Sequence, residues 1–129
     1  MLKLHVLDTI YPHSRNAAHA VEIPPGARML FTNGQTGTKP NGVTPQSTED
    51  QAAVVFERLQ TILQAANMTL RDIVRLNTYL TDGEDIQTFL DVRDRIMGDH
   101  KPAVTFFIVK ALARPELNIE IEAVAAKVD

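Results

Sequence analysis

The sequence contains no cysteine. Disulfides, thiolate nucleophiles and cysteine-based zinc or iron–sulfur sites are therefore excluded. Nor is there an excess of basic charge: 13 Lys and Arg face 16 Asp and Glu, a formal net charge of −3. No basic field favours nucleic acid or an anionic membrane surface. No apolar run approaches the length that crosses a bilayer. The start, MLKLHVLDTI, has no charged segment followed by a long apolar core and does not read as a signal peptide. The four histidines, His5, His13, His19 and His100, are scattered, with no HExxH-type pair, so no metal site is expected. GxGxxG and P-loop motifs are missing as well, and neither Ser14 nor Ser47 has an evident His/Asp partner. The expectation is a soluble cytoplasmic protein with no nucleic-acid or membrane partner.

What is present is one globular domain. The 129 residues and 44% hydrophobic content suffice for a core without staples. Leu2 to Asp8 alternates apolar and polar residues and reads as an edge strand. A polar loop around Tyr11 to Asn16 follows, then a short strand over Ala17 to Ile23. Pro24-Pro25-Gly26 turns the chain into a buried strand, Arg28 to Thr32, ending at Asn33-Gly34-Gln35. Ser47 or Thr48 caps the clearest helix, with Glu49 and Asp50 in its first turn. Ala52, Val55, Phe56, Leu59, Ile62, Leu63 and Ala66 recur at helical spacing, and Asn67 is a plausible left-handed stop. Ile73 to Thr81 reads as a strand, with Val74, Leu76, Thr78 and Leu80 on one face and Ile73, Arg75, Asn77 and Tyr79 on the other. A second helix over Glu84 to Met97 ends at Gly98, and two strands close the chain. Two helices on one side of a mixed sheet leave its other face to solvent or to a partner, which points to a symmetric homo-oligomer.

The last strand carries the main chemical hint. Ile119, Ile121, Ala123 and Ala125 point one way, and Glu120, Glu122, Val124 and Ala126 the other. Two carboxylates roughly 7 Å apart share a face with Val124 and Ala126, which is unusual for a solvated surface. A carboxylate in a partly dry cleft holds its proton more tightly and serves as a general acid or base. Asn33-Gly34-Gln35, at a strand end, is placed to aim N–H groups and amides at a ligand carbonyl or carboxylate. Lys101, Arg93, Arg114 and Arg15 are candidate carboxylate binders, although a lone cation of this kind is usually a solvated surface charge.

Three blocks together, FTNGQTG (Phe31 to Gly37), AAVVFERLQTILQAANMTLRDIVRLNTYLTD (Ala52 to Asp82) and KPAVTFFIVKALARPELNIEIEAVA (Lys101 to Ala125), resemble the RidA family, also called YjgF or L-PSP endoribonuclease-like. The resemblance spans nearly the whole chain. It implies a chorismate-mutase-like α+β fold: a mixed six-stranded sheet with two helices on one face, assembled as a homotrimeric barrel with ligand clefts between subunits. It also implies hydrolysis of small imines or enamines to carbonyl compounds and ammonia, with no metal or organic cofactor. Glu120, within NIEIEA, matches the family's water-handling glutamate. Gly34 and Gln35 match a strand end at which the family's serine is replaced by Asn33.

Three family residues find no match. The arginine that grips a substrate carboxylate through a planar fork follows Pro-Ala; here Pro102-Ala103 is followed by Val104 and then Thr105. The family's early tyrosine falls near Ala17, and the asparagine of its second helix near Leu90. Valine donates no hydrogen bond, and each bond to a charged group is worth roughly 1.5–3 kcal/mol. Lys101, Arg93 or Arg114 would have to substitute. This pattern implies a less anionic ligand or another hydrolysis, with Glu120 handling protons, Asn33, Gly34 and Gln35 orienting the ligand, and Thr105 assisting. The alternatives are a trimeric ligand-binding protein without turnover and, last, a ribonuclease.

Overall fold

The structure, a computed structural model, describes residues 1–12 and 17–129. In chain order the elements are β1 (Lys3–His5), β2 (Ala20–Glu22), β3 (Arg28–Phe31), β4 (Gln35–Thr36), α1 (Thr48–Ala65), β5 (Ile73–Leu80), α2 (Ile86–Met97), β6 (Ala103–Ile108) and β7 (Ile119–Lys127). The Ser47 side chain accepts from the Asp50 N–H and so caps α1. Asn67 takes φ 57° just beyond that helix, and Gly98 takes φ 64° to end α2. No helix among the described residues is long and apolar enough to cross a membrane.

β7 is the axis of the sheet. It pairs antiparallel with β3 and β4 on one edge and with β5 on the other, and β6 adds parallel to β5. The α+β architecture with two helices agrees with the sequence reading, but its single six-stranded sheet is corrected. The structure has a five-stranded sheet and a separate two-stranded ribbon of β1 and β2. The first two strands pair with each other, Lys3 to Glu22 and His5 to Ala20. His5 Nε2 lies 2.6 Å from the Glu22 carboxylate, a bond that holds the Glu22 carboxyl below its ordinary range. The ribbon is shorter than the alternation suggests, and Val6 beyond it is 59% exposed. Ala17 and Ala18 are buried but lie outside the strand; the Ala18 N–H donates to the Pro102 carbonyl. The expected loop over residues 13–16, with Ser14 and Arg15, lies outside the described residues.

The core forms between the helices and one sheet face. Val55, Phe56, Leu59 and Leu63 of α1 and Phe89 of α2 meet Leu76, Leu80, Ile119, Ile121 and Ala123. Phe56 and Phe89 stack at 6.2 Å, and Phe89 meets Phe106 edge-on at 5.5 Å. Ile73 belongs to this core as well, contrary to the strict alternation of its strand. The register slips between Ile73 and Arg75, so Ile73 pairs with Ala125 and Arg75 with Val124. That bulge at Val74 lets two near neighbours in sequence serve opposite faces.

Gln51 closes one end of the core. It is fully buried on α1; its amide donates to the carbonyls of Pro45 and Glu116 and accepts from the Asn118 N–H. One side chain thus ties the loop before α1 to the loop before β7. Gly37 lies against it so closely that a Cβ there would sit 2.7 Å from the Gln51 Cα.

Among the described residues no helix covers the opposite sheet face, although Ala126 at one end of it is buried. The segment Arg28 to Thr32 is accordingly not buried as the sequence suggests: Met29 is 44% and Phe31 71% exposed. β3 lies at the sheet edge, and its outward side chains meet no helix.

Candidate functional site

Register fixes what the uncovered face presents. Residues opposite one another on neighbouring strands share a face, so this face is read as cross-strand rows. Ala103, Arg75, Val124 and Phe31 make the first row. Thr105, Asn77 and Glu122 make the second. Phe107, Tyr79, Glu120 and Thr36 make the third.

The rows are linked by hydrogen bonds. An Arg75 Nη2 donates to Thr105 Oγ1 at 2.7 Å. Asn77 Nδ2 and the Tyr79 hydroxyl both donate to Glu122 Oε1, at 3.1 and 2.8 Å. Asn77 Oδ1 is buried without a donor. Tyr79 stacks on Phe107 with ring centroids 5.1 Å apart. The bond to Glu122 pushes the Tyr79 phenol above its ordinary value, aided by burial and by the negative charges of Glu122 and Glu120, while Arg75 opposes them. A raised phenol contributes stability that is complete below the unfolded value near 10 and is lost as pH rises through the folded one. In Glu122→Gln the Tyr79 ionisation should move back down towards its ordinary value, read as phenolate absorbance in an alkaline titration. An unchanged titration would show that Glu122 does not hold the phenol.

Glu120 differs from Glu122. It is half-buried and makes no hydrogen bond or ion pair among the described residues. Its carboxyl lies against the Gly34 backbone: a Cβ on Gly34 would sit 2.7 Å from Glu120 Cδ. The local cause is a second bulge. Thr32 bonds to Ala123, and Gln35 pairs with Ile121, so Asn33 and Gly34 both fall opposite Glu122. That extra residue turns the strand and exposes Asn33 and Gly34 beside Glu120. A carboxylate without a partner among the described residues, set against the exposed Gly34 backbone, is equipped to move a proton to and from a bound water or ligand.

The residues singled out in the sequence divide between the two faces. Glu120, Asn33, Gly34 and Thr105 lie at or beside the uncovered face. Gln35 does not: it pairs beside the core residue Ile121, is 7% exposed, and folds its Nε2 back onto the Asn33 carbonyl. Val104 also lies on the helix side, inside the core opposite Leu76. Arg93 sits on that same side, buried, with its guanidinium 5.8 Å from the Phe106 ring centre. Lys101 precedes β6, beyond the first row and away from Glu120. Arg114 pairs with Glu116 at 3.0 Å and donates to Thr38. His19 anchors the N-terminal segment, accepting from the Leu7 N–H. None of the cations named as substitutes for the missing arginine therefore stands in the row of Glu120.

Sequence reasoning passed over Arg75, Asn77, Tyr79 and Phe107. The first three were visible as one face of β5, but only the register with β7 makes that face the one carrying Glu120. Among the described residues, no group of three or more His, Asp or Glu side chains clusters so as to hold a metal ion.

Comparison with known proteins places these features in context. Residues 9–127 match the family model described as Endoribonuclease L-PSP. The RutC family protein PH0854 of Pyrococcus horikoshii is 34% identical over 101 residues, covering 77% of this chain and 79% of that one. TdcF of Escherichia coli, whose name carries the words reactive intermediate deaminase, is 29% identical over 102 residues, 77% of this chain and 79% of its own. The Rid family protein YyfB from Yersinia pestis superposes with a TM-score of 0.87 at 32% identity, over 98% of each chain. The crystal structure of E. coli TdcF with bound serine gives a TM-score of 0.74 at 27% identity, over 90% of this chain and 97% of that one.

Proposed function

Since this chain belongs to the endoribonuclease L-PSP family, the RidA/YjgF proteins, we propose that it hydrolyses or deaminates a small imine, enamine or carbonyl compound in a cleft completed by a second copy of itself. The observation that carries this reading is Glu120: half-buried, without a hydrogen bond among the described residues, and set against Gly34 at a bulge on an uncovered sheet face. A homotrimer would cover that face, including Phe31 and Met29. The serine bound to TdcF supports a ligand of similar size.

The chemistry assigned to Glu120 balances without a cofactor. On a protonated imine, the carboxylate takes a proton from water as the water oxygen bonds to the C=N carbon, giving a neutral carbinolamine. It returns that proton to nitrogen; the C–N bond then breaks as the hydroxyl oxygen forms C=O, the carboxylate takes the hydroxyl proton and passes it to the departing ammonia, and a carbonyl compound and ammonium leave. The exposed Asn33 and Gly34 backbone and the Thr36 side of the row orient the ligand.

The test is ammonia release from two freshly generated imines, 2-aminoacrylate and one without a carboxylate. Release above the buffer rate from either is expected. Release from neither defeats the reading. A non-catalytic trimeric binding protein is the second reading, and Val104, in place of the family's arginine, is the residue that favours it.

A further inference from the structure

We propose that Asn33 is a site of self-modification. The Gly34 nitrogen closes onto the Asn33 side-chain amide, Glu120 takes up the proton, and position 33 ends as an aspartyl or isoaspartyl residue. Asn41, the other asparagine followed by glycine, is spared. This holds whether or not the site hydrolyses imines.

An asparagine side chain can be attacked by the backbone nitrogen of the next residue, giving a five-membered imide. Closure is easiest when that residue is glycine, because no Cβ hinders the approach. The sequence has two such pairs, Asn33-Gly34 and Asn41-Gly42, and all four residues are exposed. Exposure does not separate them; hydrogen bonding does.

Asn41 sits in a closed turn. Its Oδ1 accepts from the Val43 N–H at 3.0 Å. The Gly42 N–H donates to the Lys39 carbonyl at 2.8 Å, and the Lys39 N–H donates to the Val43 carbonyl at 2.9 Å. Both reacting groups are occupied, so closure must first break the bonds that define the turn.

Asn33 differs at each point. Neither its side-chain amide nor the Gly34 N–H makes a hydrogen bond among the described residues. The Asn33 carbonyl, in contrast, accepts from Gln35 Nε2 at 3.0 Å. That carbonyl belongs to the same peptide unit as the attacking nitrogen. As the nitrogen loses its proton, negative charge spreads onto the carbonyl oxygen, and a donor already aimed there stabilises it. Gln35 is 7% exposed, so this donor is held in place. The Glu120 carboxyl lies against Gly34, its Cδ 2.7 Å from where a Cβ would stand. A base, an open nitrogen and a stabilised carbonyl oxygen thus meet at one peptide.

The step needs only water. Glu120 accepts the Gly34 amide proton as the Gly34 nitrogen bonds to Asn33 Cγ. It passes that proton to Asn33 Nδ2; the Cγ–Nδ2 bond breaks and ammonia leaves. Water then opens the imide at either carbonyl, leaving a second carboxylate beside Glu120.

Tandem mass spectrometry of the full-length protein, aged in mildly alkaline buffer, assigns conversion residue by residue. Asn33 should convert about tenfold or more faster than Asn41. In the chain unfolded by denaturant the two rates should come together, since the turn and the site are both lost. Glu120→Gln should slow Asn33 about tenfold and leave Asn41 unchanged. The native and unfolded wild-type rates decide the matter even if that variant folds poorly. Four results would each overturn the inference: Asn41 converting as fast as Asn33, a native Asn33 that stays intact while the unfolded chain reacts, a rate ratio that survives unfolding, or an unslowed Glu120→Gln. The imine reading fails separately, because it is read as ammonia released from added imine and this one as the mass of position 33.

Discussion

Glu120→Gln is expected to lower ammonia release by about 10²–10⁴-fold, the usual contribution of a positioned proton-transfer group. Glutamine keeps the size of the side chain and its reach over Gly34, but it cannot accept a proton from water. Because Glu120 makes no hydrogen bond or ion pair among the described residues, its loss should leave the thermal midpoint nearly unchanged. The same carboxyl can be displaced without being altered. Gly34→Ala places a methyl group where the Glu120 carboxyl now lies, and the flexible side chain gives way. A shift of that size costs up to about 100-fold in rate while stability changes little. Full activity in both variants would mean that the proton is carried by another group.

Gln51→Leu is expected to destabilise the fold by about 3–5 kcal/mol, read as a lower midpoint in urea or heat. Leucine has similar volume, so packing is nearly conserved. The loss is polar: the carbonyls of Pro45 and Glu116 and the N–H of Asn118 would remain near a buried site without their partner. Each unsatisfied buried group costs about 1–3 kcal/mol. Some relaxation toward water holds the total below the simple sum. A change within experimental error would show that these loops are held by other contacts.

Much of the fold was legible in the sequence because single elements carry their own signals. The apolar stripe of α1, its Ser47 cap, the stops at Asn67 and Gly98 and the alternation of β7 all follow from local spacing. What stayed hidden depends on pairing between distant segments. No local feature says that β1 and β2 pair with each other and leave the main sheet. The bulges at Val74 and at Asn33-Gly34 each add a residue opposite a partner strand, and an extra residue is invisible without the partner. β6 defeated the reading differently. In AVTFFI both faces are largely apolar, so nothing in the run tells that Val104 and Phe106 face the helices while Thr105 and Phe107 face outward. Glu120 was found because charge interrupts an apolar alternation. Tyr79 and Phe107 were not, since aromatic residues in a strand read equally well as core.

β7 serves the hydrophobic core with one set of alternate residues and the proposed site with the other. Deleting a single residue within it would exchange the two sets wholesale, sending carboxylates inward and isoleucines out. New specificities on this scaffold must therefore arise by swapping side chains at a fixed length along that strand. Length variation is left to the flanking connections, where no reading frame of inside and outside has to be kept.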